Sequence, residues 1–175
     1  MNIKKIASLG MLTALCIIFT VISNYVQIGL ISINLSCIPI ALAGMFFGPL
    51  YALLLGAING SFILLAPSTI AFMDFSLGGT ILTVLTKSAV AGFIGSLVFK
   101  LFKEKHINIA IILCSALVPL LNTIFFVLYS LVFFNETFGS IISIFLTVNF
   151  VIEFASSLVL VPILYKIIAS QQTIE

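Results

Sequence analysis

Long, nearly uninterrupted apolar runs fill most of this chain, and they limit its fold more than any short motif does. Hydrophobic residues make up 62% of the sequence and charged residues only 7%, whereas soluble domains carry about 25% charged residues. The few lysine and carboxylate side chains cannot cover a water-exposed surface, so we expect lipid to surround the fold. The runs cover residues 6–23, 35–47, 49–66, 77–101, 107–134 and 141–168.

Helices are the regular structure that these runs favour. Backbone groups inside hydrocarbon must be paired internally, which leaves helices or closed barrels, and the runs lack the alternating pattern of barrel strands. We therefore predict an all-α polytopic membrane protein, a six-transmembrane-helix bundle that forms a single domain over residues 1–175. The second run, as a helix, is about 20 Å long against a hydrocarbon core of roughly 30 Å. It either borrows residues from the preceding loop or forms a re-entrant hairpin with the third run.

The distribution of lysines predicts the orientation of the bundle. In a six-span arrangement six of the seven lysines fall on one side, and the loops on the opposite side contain none. Because cytoplasmic loops are enriched in lysine, we predict that both termini are cytoplasmic. The six are Lys4, Lys5, Lys100, Lys103, Lys105 and Lys166.

The composition argues against several functional classes. The net charge is only +2 and there is no basic stretch, so we expect no nucleic-acid partner. Cys16, Cys37 and Cys114 lie in apolar runs without metal-ligand spacing, and His106 lies in a polar connection, so we expect no metal site. No His/Asp/Glu cluster and no Ser–His pairing is available for chemistry, and we predict neither a cofactor nor an enzymatic activity.

Small residues recur at every fourth position in three of the runs. Such spacing makes a flat stripe, against which another helix packs closely in lipid. In the third and fourth runs we expect the stripe to serve packing inside the bundle. In the first run, Gly10 and Ala14, with Ala7 on a neighbouring strip, suit the docking of a partner protein equally well. The other two stripes are Gly48, Ala52, Gly56 and Gly60, and Ser88, Gly92 and Ser96.

Two ionisable residues lie deep in apolar runs. Lys87 is near the middle of the fourth run, and Glu153 is near the middle of the sixth, one helical turn after Asn149. A charge at the bilayer centre costs about 2.5–3.5 kcal/mol, so such residues are kept out of lipid. Either the two form an ion pair that fixes helix packing, or they face a polar pocket that holds a ligand.

A ligand pocket would draw on further polar residues of the same runs and of the outer loop. Asn59 and Asn122 add amides at comparable depth, and Asp74, with Ser68 and Thr69, lies in the loop before the fourth run. A lone lysine suits a carboxylate or phosphate group as a point charge, so the pocket favours an anionic or zwitterionic small molecule. The candidate substrate-binding residues are Lys87, Asn149, Glu153, Asn122, Asn59 and Asp74.

Three stretches of the chain resemble the S components of energy-coupling factor (ECF) transporters. They are Ile38-Pro-Ile-Ala-Leu-Ala-Gly44, Phe47-Gly-Pro49 and Gly56-Ala-Ile-Asn-Gly60, which look like the second and third helices of those proteins. S components have about this length, six helices and a small-x-x-x-small motif in helix one. Gly10 to Ala14 fits that motif, although the family form is usually Ala-x-x-x-Ala.

Within that family, two further stretches are most similar to the pantothenate branch, whose scaffold the folate, biotin and riboflavin branches share. They are Pro119-Leu-Leu-Asn122-Thr and Asn149-Phe-Val-Ile-Glu153-Phe. The resemblance implies a bacterial plasma-membrane protein that captures a small anionic vitamin, pantothenate first, from outside the cell. It also implies docking through helix one onto a membrane T component that carries two cytoplasmic ATPases. The chain has no G-x-x-x-x-G-K-[ST] loop of its own, so the partners would hydrolyse the ATP.

The residues alone, without the resemblance, also allow other functions. A stand-alone secondary transporter or channel would use Lys87 and Glu153 as a relay, but the internal repeat typical of such transporters is not visible. An intramembrane enzyme lacks the residues for catalysis, and in a scaffold subunit the polar core would be purely structural.

Overall fold

The computed structural model describes residues 3–25, 27–28, 31–133 and 136–173, and the side chains of residues 6–25, 33–70, 72–133 and 148–170. This part of the chain is made of helices and one short antiparallel hairpin, whose strands are β1 (Gln27–Ile28) and β2 (Ile31–Ser32). The helices are α1 (Ile3–Tyr25), α2 (Cys37–Phe47), α3 (Pro49–Ile63), α4 (Pro67–Met73), α5 (Leu77–Phe102), α6 (Ile107–Phe133) and α7 (Glu136–Thr173).

All six apolar runs are helical, but they differ in length. Four helical stretches are long and apolar enough to cross a membrane, namely Ile6–Tyr25, Leu77–Phe102, Ile107–Phe133 and Val148–Ser170. Helices α2 and α3 have 11 and 15 residues, or about 16 and 22 Å, which is less than the roughly 30 Å of hydrocarbon. The helices therefore indicate a membrane protein, while the count of six spans stays a prediction.

Two connections that read as loops in the sequence contain regular structure. Residues 24–36 include the β1–β2 hairpin, and residues 66–78 include α4. Pro67 is the first residue of α4, where its fixed φ and missing N–H are well tolerated. The all-α prediction therefore omitted a hairpin, which pairs backbone groups that would otherwise need water. The last helix is also longer than the predicted run, since α7 covers Glu136–Thr173.

Helix α2 forms the centre of the bundle. Its residues from Cys37 to Met45 are all buried, and it contacts α1, α3, α5, α6 and α7. Gly48, with φ of 103°, ends α2 and reverses the chain directly into α3, a backbone conformation that favours glycine. The short second run is thus an internal helix paired with α3.

Small residues join α3 to α5, as the spacing predicted. A Cβ added to Gly56 would lie 2.6 Å from the backbone of Ala89, and one added to Gly60 would lie 2.5 Å from the carbonyl oxygen of Val84. The two backbones are therefore in direct contact, which only small residues permit. The stripe of the third run belongs to the inside of the bundle.

Helix α6 contains Pro119, which cannot donate a hydrogen bond to the carbonyl oxygen of Ser115 one turn before it. The Ser157 hydroxyl of α7 donates to that oxygen at 2.7 Å. A backbone acceptor left open in the membrane interior is thus satisfied by the neighbouring helix, and this bond fixes α7 against α6.

The small residues of α1 have a different environment. Ala7, Gly10 and Ala14 are all exposed, and a Cβ added to Gly10 would meet no atom within 4 Å. Among the described residues, this stripe therefore faces outwards from the bundle.

Candidate functional site

A cavity lies between the helices in one half of the bundle. It is lined by the last turns of α1 and α3, the turn before α2, α4, the first half of α5, the second half of α6 and the middle of α7. Since α5 runs from this cavity towards Lys100, the lysine-bearing α5–α6 connection lies at the opposite end of the bundle. The empty space is about 800 Å³ when the open mouth is counted.

The cavity is polar although it lies inside an apolar protein. Eighteen residues line it, and only five of them are apolar, three of these being phenylalanines. Although the helices are mostly apolar, the helix faces that line this cavity carry mainly polar residues. Polar groups in a membrane protein characteristically face such an internal space.

Four of the six predicted substrate-binding residues line this cavity, namely Lys87, Asn122, Asn149 and Glu153. The other two do not. Asn59 is buried beside the cavity, 1% exposed. Asp74 is exposed at the end of α4 and is not part of the wall, so the expectation that it joins the pocket is not met, because α4 turns that position outwards.

Lys87 is only partly buried and reaches the cavity from α5. Its Nζ lies 4.9 Å from the ring centroid of Phe126, a cation–π contact. Among the described residues, no carboxylate lies close enough to Lys87 for an ion pair, and Glu153 is no exception. The structural ion pair considered from the sequence is therefore absent, and the ammonium group is available to an anion in the cavity.

Glu153 holds the turn that precedes α2. The side chain is 6% exposed, and its Oε1 accepts a hydrogen bond from the backbone N–H of Asn34 at 2.7 Å. This bond joins two positions that are 119 residues apart in the chain. The carboxylate thus ties the outer connection of α1 and α2 to the middle of α7.

Asn59 is the centre of a buried hydrogen-bond network. Its Oδ1 lies 2.7 Å from the hydroxyls of Thr20 and Ser36, and its Nδ2 donates to Ser88 Oγ at 3.2 Å. Ser88 in turn donates to Asn122 Oδ1 at 2.9 Å. Asn59 therefore supports the cavity from behind, by fixing residues of its wall, instead of facing the ligand space.

Several lining residues were not singled out from the sequence. Thr80 and Thr83 line the cavity on the same face of α5 as Lys87. Their spacing of three and four residues is that of one helix face, so helix periodicity could have predicted that they line the cavity. Their hydroxyls donate to the carbonyl oxygens of Phe72 and Gly79 at 2.9 and 2.6 Å, and the first of these bonds fixes α4 at the rim. Asn34, which the sequence places in the outer loop, lies in a turn, where no helix periodicity assigns it to the wall.

Metal ligation finds no support in the described residues, where no three His, Cys, Asp or Glu side chains come together. What the arrangement offers is a cation, a carboxylate, amides and three aromatic rings around one space. These groups suit non-covalent binding of a small polar molecule with an anionic group.

Comparison with known protein families identifies the family to which this chain belongs. The family model described as "ECF transporter, substrate-specific component" matches residues 4–165. Neither curated proteins nor solved structures gave a match. The match includes every residue of the cavity wall and ends within α7. The chain therefore belongs to the family of substrate-specific components of ECF transporters.

Proposed function

We propose that this protein captures a small anionic vitamin, with pantothenate as the first candidate, and delivers it into a bacterial cell. The observation that carries the proposal is the ammonium group of Lys87, which faces a polar cavity without an acidic partner among the described residues. A cation kept at this depth is costly unless an anion meets it. The carboxylate of the vitamin is the group that would do so.

The rest of the wall suits the remainder of such a molecule. One oxygen of Glu153 is engaged by the backbone of Asn34. The second accepts no hydrogen bond from the described residues and is open to a hydroxyl or amide of the ligand. Asn122 and Asn149 supply further polar contacts, and the phenylalanine rings cover apolar carbons. A ligand with one anionic end and several hydrogen-bonding groups fits this set of partners.

The choice of pantothenate rests on two stretches of sequence. Pro119-Leu-Leu-Asn122-Thr and Asn149-Phe-Val-Ile-Glu153-Phe resemble the pantothenate branch, and residues of both lie in the cavity wall. Biotin, folate and riboflavin are the alternative candidates, since the branches of the family named for them share this scaffold. They differ in size and in the number of carboxylates, so direct comparison separates them.

S components work with a T component and ATPases, and the chain offers a surface for that partner. Ala7, Gly10 and Ala14 are exposed, and a Cβ added to Gly10 would meet no described atom within 4 Å. A flat stripe of small residues permits a second helix to approach closely in lipid. We propose that the T component docks here and that two ATPases bound to it supply the energy.

The proposed orientation follows from the ends of the bundle. Lys100, Lys103 and Lys105 are exposed at the end opposite the cavity. If this end is cytoplasmic, as the positive-inside rule predicts, the cavity opens to the outside and both termini lie inside. Capture from the medium requires this arrangement.

Equilibrium binding to the purified protein in detergent tests the proposal. Labelled pantothenate, biotin, folate and riboflavin would be titrated separately, and we expect saturable binding of one vitamin, pantothenate first. A Lys100→Met variant, changed at the lysine-bearing end, serves as the control and should bind as the wild type does. Binding of none of the four would contradict the proposed function.

A further inference from the structure

Asn34 stands in the turn between β2 and α2, at the wall of the cavity. Its side chain is only 6% exposed. The carboxamide Oδ1 contacts the Ser36 hydroxyl, whereas the Nδ2 is buried and donates to no group among the described residues. A buried amide donor without an acceptor is unfavourable and uncommon in native proteins. Its place in the wall indicates that the missing acceptor belongs to a molecule in the cavity.

The turn that carries Asn34 is held on two sides. On one side, Glu153 of α7 accepts from the Asn34 backbone N–H at 2.7 Å. On the other, the Ser23 hydroxyl of α1 accepts from the backbone N–H of Leu35 at 3.2 Å. The position of the Asn34 carboxamide is therefore set by the protein before any ligand arrives, which reduces the ordering cost of binding.

We infer that Asn34 is a substrate contact, which donates a hydrogen bond from Nδ2 to a carboxylate or carbonyl oxygen of the vitamin, and that Glu153 positions it. The inference rests on the proposed function and extends it to a residue outside the helices. Lys87 and Asn34 then approach the ligand from different elements, one as a charge and the other as a directional donor. This combination favours an oxygen-rich anion over a simple halide or a cation.

Two variants of Asn34, in the otherwise wild-type protein, test the proposed contact between Asn34 and the vitamin. Asn34→Ala removes the donor but keeps the backbone N–H that Glu153 accepts from, so the turn should stay in place. We expect affinity for the vitamin to fall roughly 10- to 100-fold, the usual effect of removing a buried hydrogen bond to a ligand. Asn34→Asp has the same shape but presents an acceptor, and it should bind more weakly still. Asn108→Ala, exposed in the first turn of α6, is the matched control.

Two variants of Glu153 test the positioning. Glu153→Gln keeps an oxygen that accepts from the Asn34 N–H, whereas Glu153→Leu removes it. The penalty of Asn34→Ala would be measured in each background, because residues that act together give non-additive effects. We expect the penalty to persist with Gln at position 153 and to shrink towards none with Leu. An equal penalty in both backgrounds would contradict the positioning role of Glu153.

The outcomes separate this inference from the proposed function. If the wild type binds a vitamin and Asn34→Ala binds it equally well, the inference is wrong while the proposed function stands. Binding by Asn34→Asp at the wild-type level would also overturn it, since the donor would then be unnecessary. If the wild type binds none of the four vitamins, both fail together.

Discussion

The ammonium group of Lys87 lies beside the ring of Phe126, and no described carboxylate is close enough to pair with it. Because no ion pair is lost, we expect Lys87→Met to fold and to melt at nearly the wild-type temperature. Affinity for the vitamin should fall roughly 30-fold or more, as expected for removing one member of a buried charge pair with the ligand. Thermal unfolding and labelled-vitamin binding on the same preparation would measure both quantities.

The combination of Lys87→Met with Glu153→Gln decides between the two roles of the lysine. If Lys87 serves the ligand, the double variant stays weak in binding. Recovery of both wild-type stability and wild-type affinity in the double variant would instead mean that the two residues pair with each other, and the site assignment would be wrong.

Asn59 and Asp74 lead to opposite expectations. Asn59→Ala removes the hydrogen bonds that Asn59 forms with the hydroxyls of Thr20, Ser36 and Ser88, and each such bond contributes about 0.5–1.5 kcal/mol to stability. We expect a clear loss of stability in thermal unfolding, with weaker binding as a secondary effect. Asp74→Asn, at an exposed position, is the matched control and should change neither quantity. Equal melting of the two variants would contradict the structural role of Asn59.

Part of this site was accessible from the sequence, for a physical reason. Polar residues within long apolar runs are expensive in lipid, so Lys87 and Glu153 had to face inwards, and helix periodicity brought Asn149 to the face of Glu153. Nothing in the sequence distinguishes Asn59, which supports the wall, from Asn122, which belongs to it. Asn34 was recognisable only as a polar residue of the outer loop, since a turn carries no periodic signal that would assign it to the cavity wall.

At the scale of the elements, two glycine stripes of similar spacing have different environments. Gly10 is exposed on α1 with open space around it, so Gly10→Leu should leave folding and vitamin binding unchanged. Uptake in cells should fall sharply, because a bulky side chain prevents close approach of a partner helix. Met11→Leu, a conservative change at an exposed neighbouring position, is the control and should transport normally.

Gly56 provides the contrasting case in the same assay. A side chain there would meet the backbone of Ala89, so Gly56→Leu should reduce the yield of folded protein and lower binding and uptake together. If Gly10→Leu behaved in this way too, the stripe of α1 would belong to the bundle and the docking surface would have to be sought elsewhere.

The helical elements were largely predictable, and the connections were not. Each apolar run became a helix because hydrocarbon permits little else, and the break at Gly48 followed from its glycine–proline pair. Helix α4 and the hairpin lie in segments where mixed polarity gives no clear period. Their structure depends on tertiary contacts, such as the hydrogen bond from the Thr80 hydroxyl to the carbonyl oxygen of Phe72. Such contacts cannot be predicted from the sequence of one segment alone.

At the scale of the whole molecule, orientation can be tested by labelling from outside intact cells. Asp74 and Glu104 are both exposed and lie at opposite ends of the bundle, so single cysteines at these positions form a matched pair. The native Cys16, Cys37 and Cys114 are buried, which keeps the background low. We expect an impermeant maleimide to label position 74 and to spare position 104 until the cells are opened. The reverse pattern would contradict the outward-facing cavity.

The burial of α2 has a consequence for how the protein is made. Four of the five helices that contact it, α3, α5, α6 and α7, are synthesised after it. When α2 enters the bilayer, lipid tails must occupy the places that these helices take later, and its apolar sequence suits both surroundings. Each later helix then displaces lipid from α2, and Glu153 can bind the turn before α2 only after the first half of α7 has left the ribosome. The binding cavity is therefore among the last parts of the molecule to be completed.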